Sequence, residues 1–310
     1  MCYSIAYLEK KAKKLAERYK DFFPSDWSEQ QFTTMNPAAS DIPTTQPTQT
    51  GIQPPRPTQT GIQPPQSTQT GILFPEERPG NPSEQPEAQS AESEALPPGP
   101  HDLPAYYFVS GFSHPQLPMI RQDGLHLYQW GLVPYWTKDT AFADSIRSKT
   151  LNAKGETVFE KPSFRGSIVS KRCLLPVNGF FEWREVNKVK YPYYITLRDK
   201  DIFSLGCICD SWTDRQTGEV RDTFSIITTP ANPMMEKIHN VKKRMPLIIG
   251  RDDEAAWVDP GLGAPGIRKL IKPFGDDGMH AYTVSRFVNN PRNERNVPEA
   301  LEEVVYDDLE

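Results

Sequence analysis

Residues 41–104 have a composition that cannot build a core: Pro, Thr, Gln, Ser and Glu dominate, and aliphatic clusters are almost absent. Such a stretch buries too little apolar surface to offset the entropy of ordering it, so it is predicted to be disordered or extended. Within it a ten-residue unit recurs as Thr48-Gln-Thr-Gly-Ile52-Gln-Pro-Pro, Thr58-Gln-Thr-Gly-Ile62-Gln-Pro-Pro and Thr68-Gln-Thr-Gly-Ile72. One Ile per unit and a Pro pair that blocks backbone pairing argue against a stacked solenoid and for a polyproline-like excursion. What remains, residues 1–40 and 105–310, is long enough for one domain with 41–104 looped out of its surface.

The insert also distorts the charge. Of the net −5, the insert carries eight acids against two arginines, a balance of −6, leaving about +1 for the rest. A near-neutral folded part is compatible with a local basic groove and does not demonstrate one. The four cysteines, Cys2, Cys173, Cys207 and Cys209, lack metal-ligand spacing, so no metal or other cofactor is expected. Cys207 and Cys209, two apart in an apolar run, fall on one face of a strand. With no secretory apolar stretch and no long apolar run, the expectation is a reduced, cytoplasmic, monomeric protein with no membrane partner.

Cys2-Tyr-Ser-Ile-Ala6 has strand character and is predicted to run straight into a helix, with Leu8, Ala12, Leu15, Ala16, Tyr19 and Phe23 at helical spacing and Pro24 as the stop. After the insert, aromatic and β-branched segments at 106–109, 125–133, 172–176, 180–184, 191–197, 202–209 and 223–229 read as strands separated by turn signals. Helices are expected near 140–147, 232–238, 254–258 and 267–271. Many short strands with scattered helices predict an α+β domain on a curled, mainly antiparallel sheet or barrel with peripheral helices.

Cys2 follows an initiator methionine of the kind normally removed before a small residue. Its removal leaves an amine and a thiol on adjacent carbons, with ordinary pKa values of about 8 and about 8.5. Such a 1,2-aminothiol condenses with an aldehyde to a Schiff base, and the sulfur then closes a thiazolidine ring, an intramolecular step with a large effective concentration. Taken alone, Cys2 reads more readily as a small residue packed in a sheet. Three segments accompany it: Asn152-Ala153-Lys154-Gly155-Glu156, expected in a loop; Pro176-Val-Asn178-Gly179-Phe-Phe181-Glu182-Trp183, an acid between aromatics on a strand; and His239-Asn-Val-Lys-Lys-Arg244-Met245-Pro246, a histidine beside three cations. Each alone has an ordinary reading: a turn cap, an outward strand residue, a solvated basic face.

Together with Met1-Cys2 these segments resemble the SRAP (SOS-response-associated peptidase) family of abasic-site processing proteins, over the whole chain apart from the insert. The resemblance implies a single SRAP-type domain that senses abasic sites in single-stranded DNA during the DNA damage response. It implies that Cys2 forms a thiazolidine crosslink with the sugar aldehyde and so shields the lesion. Asn152 would hold the terminus and sugar, Glu182 would act as general acid/base and His239 would assist protonation of the sugar oxygen. Trp136 would stack on bases, with a core position as its alternative, while Lys154 and Arg244 would contact phosphates. An AP-lyase side activity follows from the Schiff base. Four departures stand out: Ser4 where the family often has Arg, Lys154 for an Arg, two extra residues between His239 and Arg244, and Tyr107-Phe-Val-Ser-Gly111 in place of an Asn-containing segment. Two other functions fit the residues: a peptidase using the Cys2 nucleophile, on its own Met1 or more broadly, and an adaptor whose Pro-rich insert recruits a partner that the repeats do not identify.

Overall fold

The computed structural model describes residues 2–10, 12–20, 103–198 and 201–309. The repeats, Phe23 and Pro24 lie outside the described residues. The chain is α+β, built on two sheets. The strands are β1 (Ser4–Tyr7), β2 (Tyr106–Ser110), β3 (Gln116–Arg121), β4 (Gly124–Trp130), β5 (Asn152–Lys154), β6 (Arg172–Val177), β7 (Gly179–Val186), β8 (Val189–Leu197), β9 (Phe203–Thr213), β10 (Val220–Pro230), β11 (Arg244–Pro246), β12 (Ile248–Ile249) and β13 (Met279–Thr283). The helices are α1 (Ala12–Arg18), α2 (Thr140–Arg147), α3 (Ser167–Ser170), α4 (Pro233–Ile238), α5 (Glu254–Val258) and α6 (Ala264–Leu270).

One sheet has five antiparallel strands in the order β13-β8-β7-β1-β2. In the other, β10, β4, β3, β6 and β9 follow one another, and β9 pairs back onto β10, closing a five-stranded barrel that carries β5, β11 and β12 on its rim. The pairing is mainly antiparallel, as expected, with β10 running parallel to β4 and β5. β3 escaped the sequence reading because Pro118 interrupts it. A proline has no N–H to give a ladder, and β3 meets β6 at a single register pair, Ile120 with Leu174.

The start of the chain is a central strand: β1 lies between β2 and β7, and all four of its residues are buried. The expected direct passage from strand to helix is not what forms. Leu8 donates its backbone N–H to Asn178 Oδ1 at 2.8 Å, outside any helix, and α1 begins only at Ala12. Leu103, which composition assigns to the insert, is buried, and its N–H donates to the Lys10 carbonyl at 2.7 Å. The described segments on either side of the insert are thus joined by a backbone hydrogen bond.

Cys2, Cys173, Cys207 and Cys209 share one apolar cluster with Trp130, Phe180 and Phe224. A second cluster gathers Tyr7, Leu15, Tyr19, Trp257 and Ile267 where α1, α5 and α6 cover the barrel. Here Arg18 forks onto the buried Glu254 at 3.0 and 2.8 Å, and Glu254 also accepts from Ser204 at 2.6 Å. Removing one member of a buried pair strands the other charge, so Arg18→Ala is expected to cost about 3 kcal/mol. Urea denaturation checks this, and Arg18→Met combined with Glu254→Leu should recover most of the loss.

Candidate active site

β7 gives the site its framework. Alternation along the strand sends Phe180 into the cluster that contains Cys2 and Phe181 into a separate one with Phe108 and Tyr194. Gly179 is required by close approach, because a Cβ there would meet the Tyr194 ring at 2.4 Å. Gly179→Ala should therefore destabilise the fold by about 1–3 kcal/mol, read as a lower urea midpoint. Pairing of Ser4 with Phe181 and Ile5 with Phe180 directs the first residues of the chain toward Glu182.

Glu182 is 3% exposed, and its carboxyl is pushed up to about 7, chiefly by burial; the positive amino terminus of the chain and Lys242 pull the other way. His239 caps the C-terminus of α4. Its Nδ1 lies 2.9 Å from the Arg244 carbonyl and 3.6 Å from Glu182 Oε2. A carbonyl only accepts, so Nδ1 carries the proton and Nε2 keeps a lone pair. Burial, then the positive amino terminus and the neighbouring Lys242, push the imidazole down to about 4. Between those two values the imidazole is neutral and the carboxyl is protonated.

Cys2 is fully buried, and its Sγ faces the Ser4 carbonyl at 3.8 Å. Burial, then the Glu182 charge, raise the thiol far above its ordinary range. This corrects the expectation that amine and thiol both titrate near neutrality: the sulfur is held as a neutral thiol and needs a base to activate it. An open cleft of about 320 Å³ includes Tyr3, Glu182, Trp183, His239, Lys242 and Arg295 in its lining.

Asn152 stands on β5 rather than in the expected loop, because Asn152–Lys154 pairs in parallel with β10. Among the described residues neither Oδ1 nor Nδ2 of its buried amide has a hydrogen-bond partner. A buried amide without partners is rare enough to point to a missing ligand. Lys154, on the same strand, is exposed.

Arg244, expected to contact phosphate, meets a carboxylate of the protein itself. It is buried on β11, its two terminal nitrogens bind the Glu156 carboxylate, and one of them also donates to the Thr228 carbonyl at 2.7 Å. The guanidinium in turn holds the Glu156 carboxyl below its usual range. Between His239 and Arg244 the chain makes a turn, with Lys243 in the left-handed region at φ 50°.

Trp136 is 40% exposed and Tyr135 66%, which removes the core reading of Trp136. A rigid base holds these rings out. The buried Asp210 accepts the Tyr135 N–H at 3.0 Å and pairs with Lys171 at 2.5 Å, while Trp212 Nε1 donates to the Thr137 carbonyl at 2.8 Å. Phe142 on α2, 6.3 Å from Trp136 between ring centres, extends the aromatic patch. Sequence reasoning missed Phe142, Tyr3 and Lys242, because only the tertiary fold shows that they are exposed or line the cleft.

Among the described residues no three His, Cys, Asp or Glu side chains are grouped to hold a metal ion, and no helix is long and apolar enough to cross a membrane. Fold and site together define an α+β protein that inserts its first strand into a sheet and buries Cys2 near the carboxyl of a carboxyl–imidazole pair. The chain belongs to the SRAP family, described as SOS response associated peptidase, which it matches over residues 90–291. The abasic site processing protein YoqW of Bacillus subtilis is 40% identical over 176 residues, 56% of this chain and 74% of that protein. The abasic site processing protein HMCES of Xenopus tropicalis is 30% identical over 197 residues, 57% of this chain and 56% of its own length. A Bacteroides thetaiotaomicron protein of known crystal structure is 40% identical, with a TM-score of 0.61 over 64% of this chain and 86% of that one.

Proposed function

We propose that this protein processes abasic sites in single-stranded DNA by forming a thiazolidine crosslink through Cys2, once Met1 has been removed. The observation that carries the reading is a buried Cys2 close enough to feel the Glu182 charge, with the Glu182 carboxyl and the His239 imidazole 3.6 Å apart. The Cys2 amine adds to the open-chain aldehyde of the sugar, and the carbinolamine loses water to an imine. Glu182, protonated over much of the neutral range, donates to the departing hydroxyl. The thiol then adds to the protonated imine: sulfur bonds to carbon, the C=N electron pair returns to nitrogen, which keeps its proton, and the Glu182 carboxylate accepts the thiol proton. Aldehyde, amine and thiol thus give one thiazolidine and one water. His239, neutral with its proton on Nδ1, is suited to moving a proton to and from the sugar oxygen during ring opening.

The unbonded amide of Asn152 fits a role in holding the sugar or terminus, and Trp136, Tyr135 and Phe142 form a platform of the kind on which single-stranded bases stack. Lys154 is available to a phosphate; Arg244 serves the reading as the anchor of the Glu156 loop. The test is incubation with an abasic oligonucleotide, with and without borohydride, followed by a denaturing gel. A thiazolidine persists without reductant, whereas a bond seen only after reduction would limit the chemistry to a Schiff base and favour lyase activity.

A further inference from the structure

The two residues added between His239 and Arg244 play no part in that chemistry, yet they have a built conformation. Asn240 leaves α4 and hooks onto the edge of β7, where its Oδ1 accepts the Glu185 N–H at 3.0 Å and its Nδ2 donates to the Glu185 carbonyl at 2.7 Å. One side chain thus takes the place of a neighbouring strand. At the other end Lys243 adopts φ 50°, its N–H donates to the His239 carbonyl at 2.7 Å, and its own carbonyl accepts from Ala231 at 3.1 Å. With both ends fixed, the exposed Val241 and Lys242 are held at the rim of the cleft that Glu182 and His239 line.

Lys242 is an exposed cation at this rim. Among the described residues no carboxylate lies within ion-pair distance of it, unlike Lys243, which faces Glu236 at 3.9 Å. Lys190 and Arg295 line the same cleft along with the acids Glu182 and Glu185, so a phosphate entering it finds cations on several elements of a mixed-charge wall. Arg244, the cation expected to meet phosphate, is occupied by Glu156.

We propose that residues 240–243 form a positioning turn, clamped by Asn240, that supplies Lys242 as the phosphate contact flanking the reacting sugar. The inference rests on the abasic-DNA reading, since it assigns the phosphate to that substrate. It is tested on the full-length protein with single-stranded DNA carrying a tetrahydrofuran analogue of the abasic site, which binds and cannot crosslink. Fluorescence anisotropy at several salt concentrations should show Lys242→Gln binding about three- to tenfold more weakly, with the slope of log affinity against log salt reduced by about 0.7. Lys242→Arg should restore both, and Lys13→Gln, which removes the same charge from outside the cleft, should change neither. Asn240→Ala should weaken binding with every charge retained. A Lys242→Gln slope equal to that of the wild type overturns the inference. Wild-type binding without any crosslink to a true abasic site would instead defeat the functional reading and leave the phosphate contact standing.

Discussion

Replacing Cys2 with alanine is expected to abolish the denaturation-resistant adduct with abasic single-stranded DNA altogether. Alanine is small enough for Met1 still to be removed, so the variant keeps a terminal amine and loses only the sulfur. Its amine forms the imine but no ring, leaving the sugar carbon acidic beside a C=N bond and open to β-elimination. The expected outcome on a gel is therefore a switch from crosslink to strand cleavage. Because Cys2 lies in a packed cluster, circular dichroism should accompany the assay to show that the variant is folded. An undiminished stable adduct would mean that another nucleophile carries the reaction.

Glu182→Gln is expected to slow adduct formation by about 10²- to 10⁴-fold, the usual range for a positioned proton donor and acceptor. The pH dependence gives a sharper signature. The step that needs protonated Glu182 loses rate as pH rises through about 7, and the glutamine variant should lack that limb. Stability should fall over the same pH range as activity. A carboxyl raised from 4.5 to about 7 binds its proton more tightly in the folded state, so its favourable contribution is complete below 4.5 and lost as pH rises through 7. Urea midpoints measured across that window should fall with pH for the wild type more than for Glu182→Gln, which carries no charge to desolvate.

Much of this site was legible in the residues because its chemistry is written in contiguous segments. Glu182 between Phe181 and Trp183 reads as an acid on an apolar strand, and burial does raise it. Helix α2 was readable over its full length, with Asp139 as its N-cap accepting the Phe142 N–H at 2.8 Å. What was not legible depends on contacts distant in sequence. Asn152 looked like a loop residue because β5 is too short to declare itself and exists through pairing with β10. Arg244 looked like a free cation because Glu156 lies 88 positions away in the chain. The state of the Cys2 thiol follows from burial against strands far along the chain, so its ordinary pKa misled. Lys242 was visible in the sequence as one of a basic run; its place at the cleft required the Asn240 clamp to be seen.

The most direct test of the account is to digest the crosslinked complex and locate the sugar remnant by tandem mass spectrometry. The account predicts a peptide that begins at Cys2, without Met1, carrying the remnant with one water lost and no free thiol. A remnant on a lysine, or an N-terminal peptide that still bears Met1 in the crosslinked protein, would contradict it.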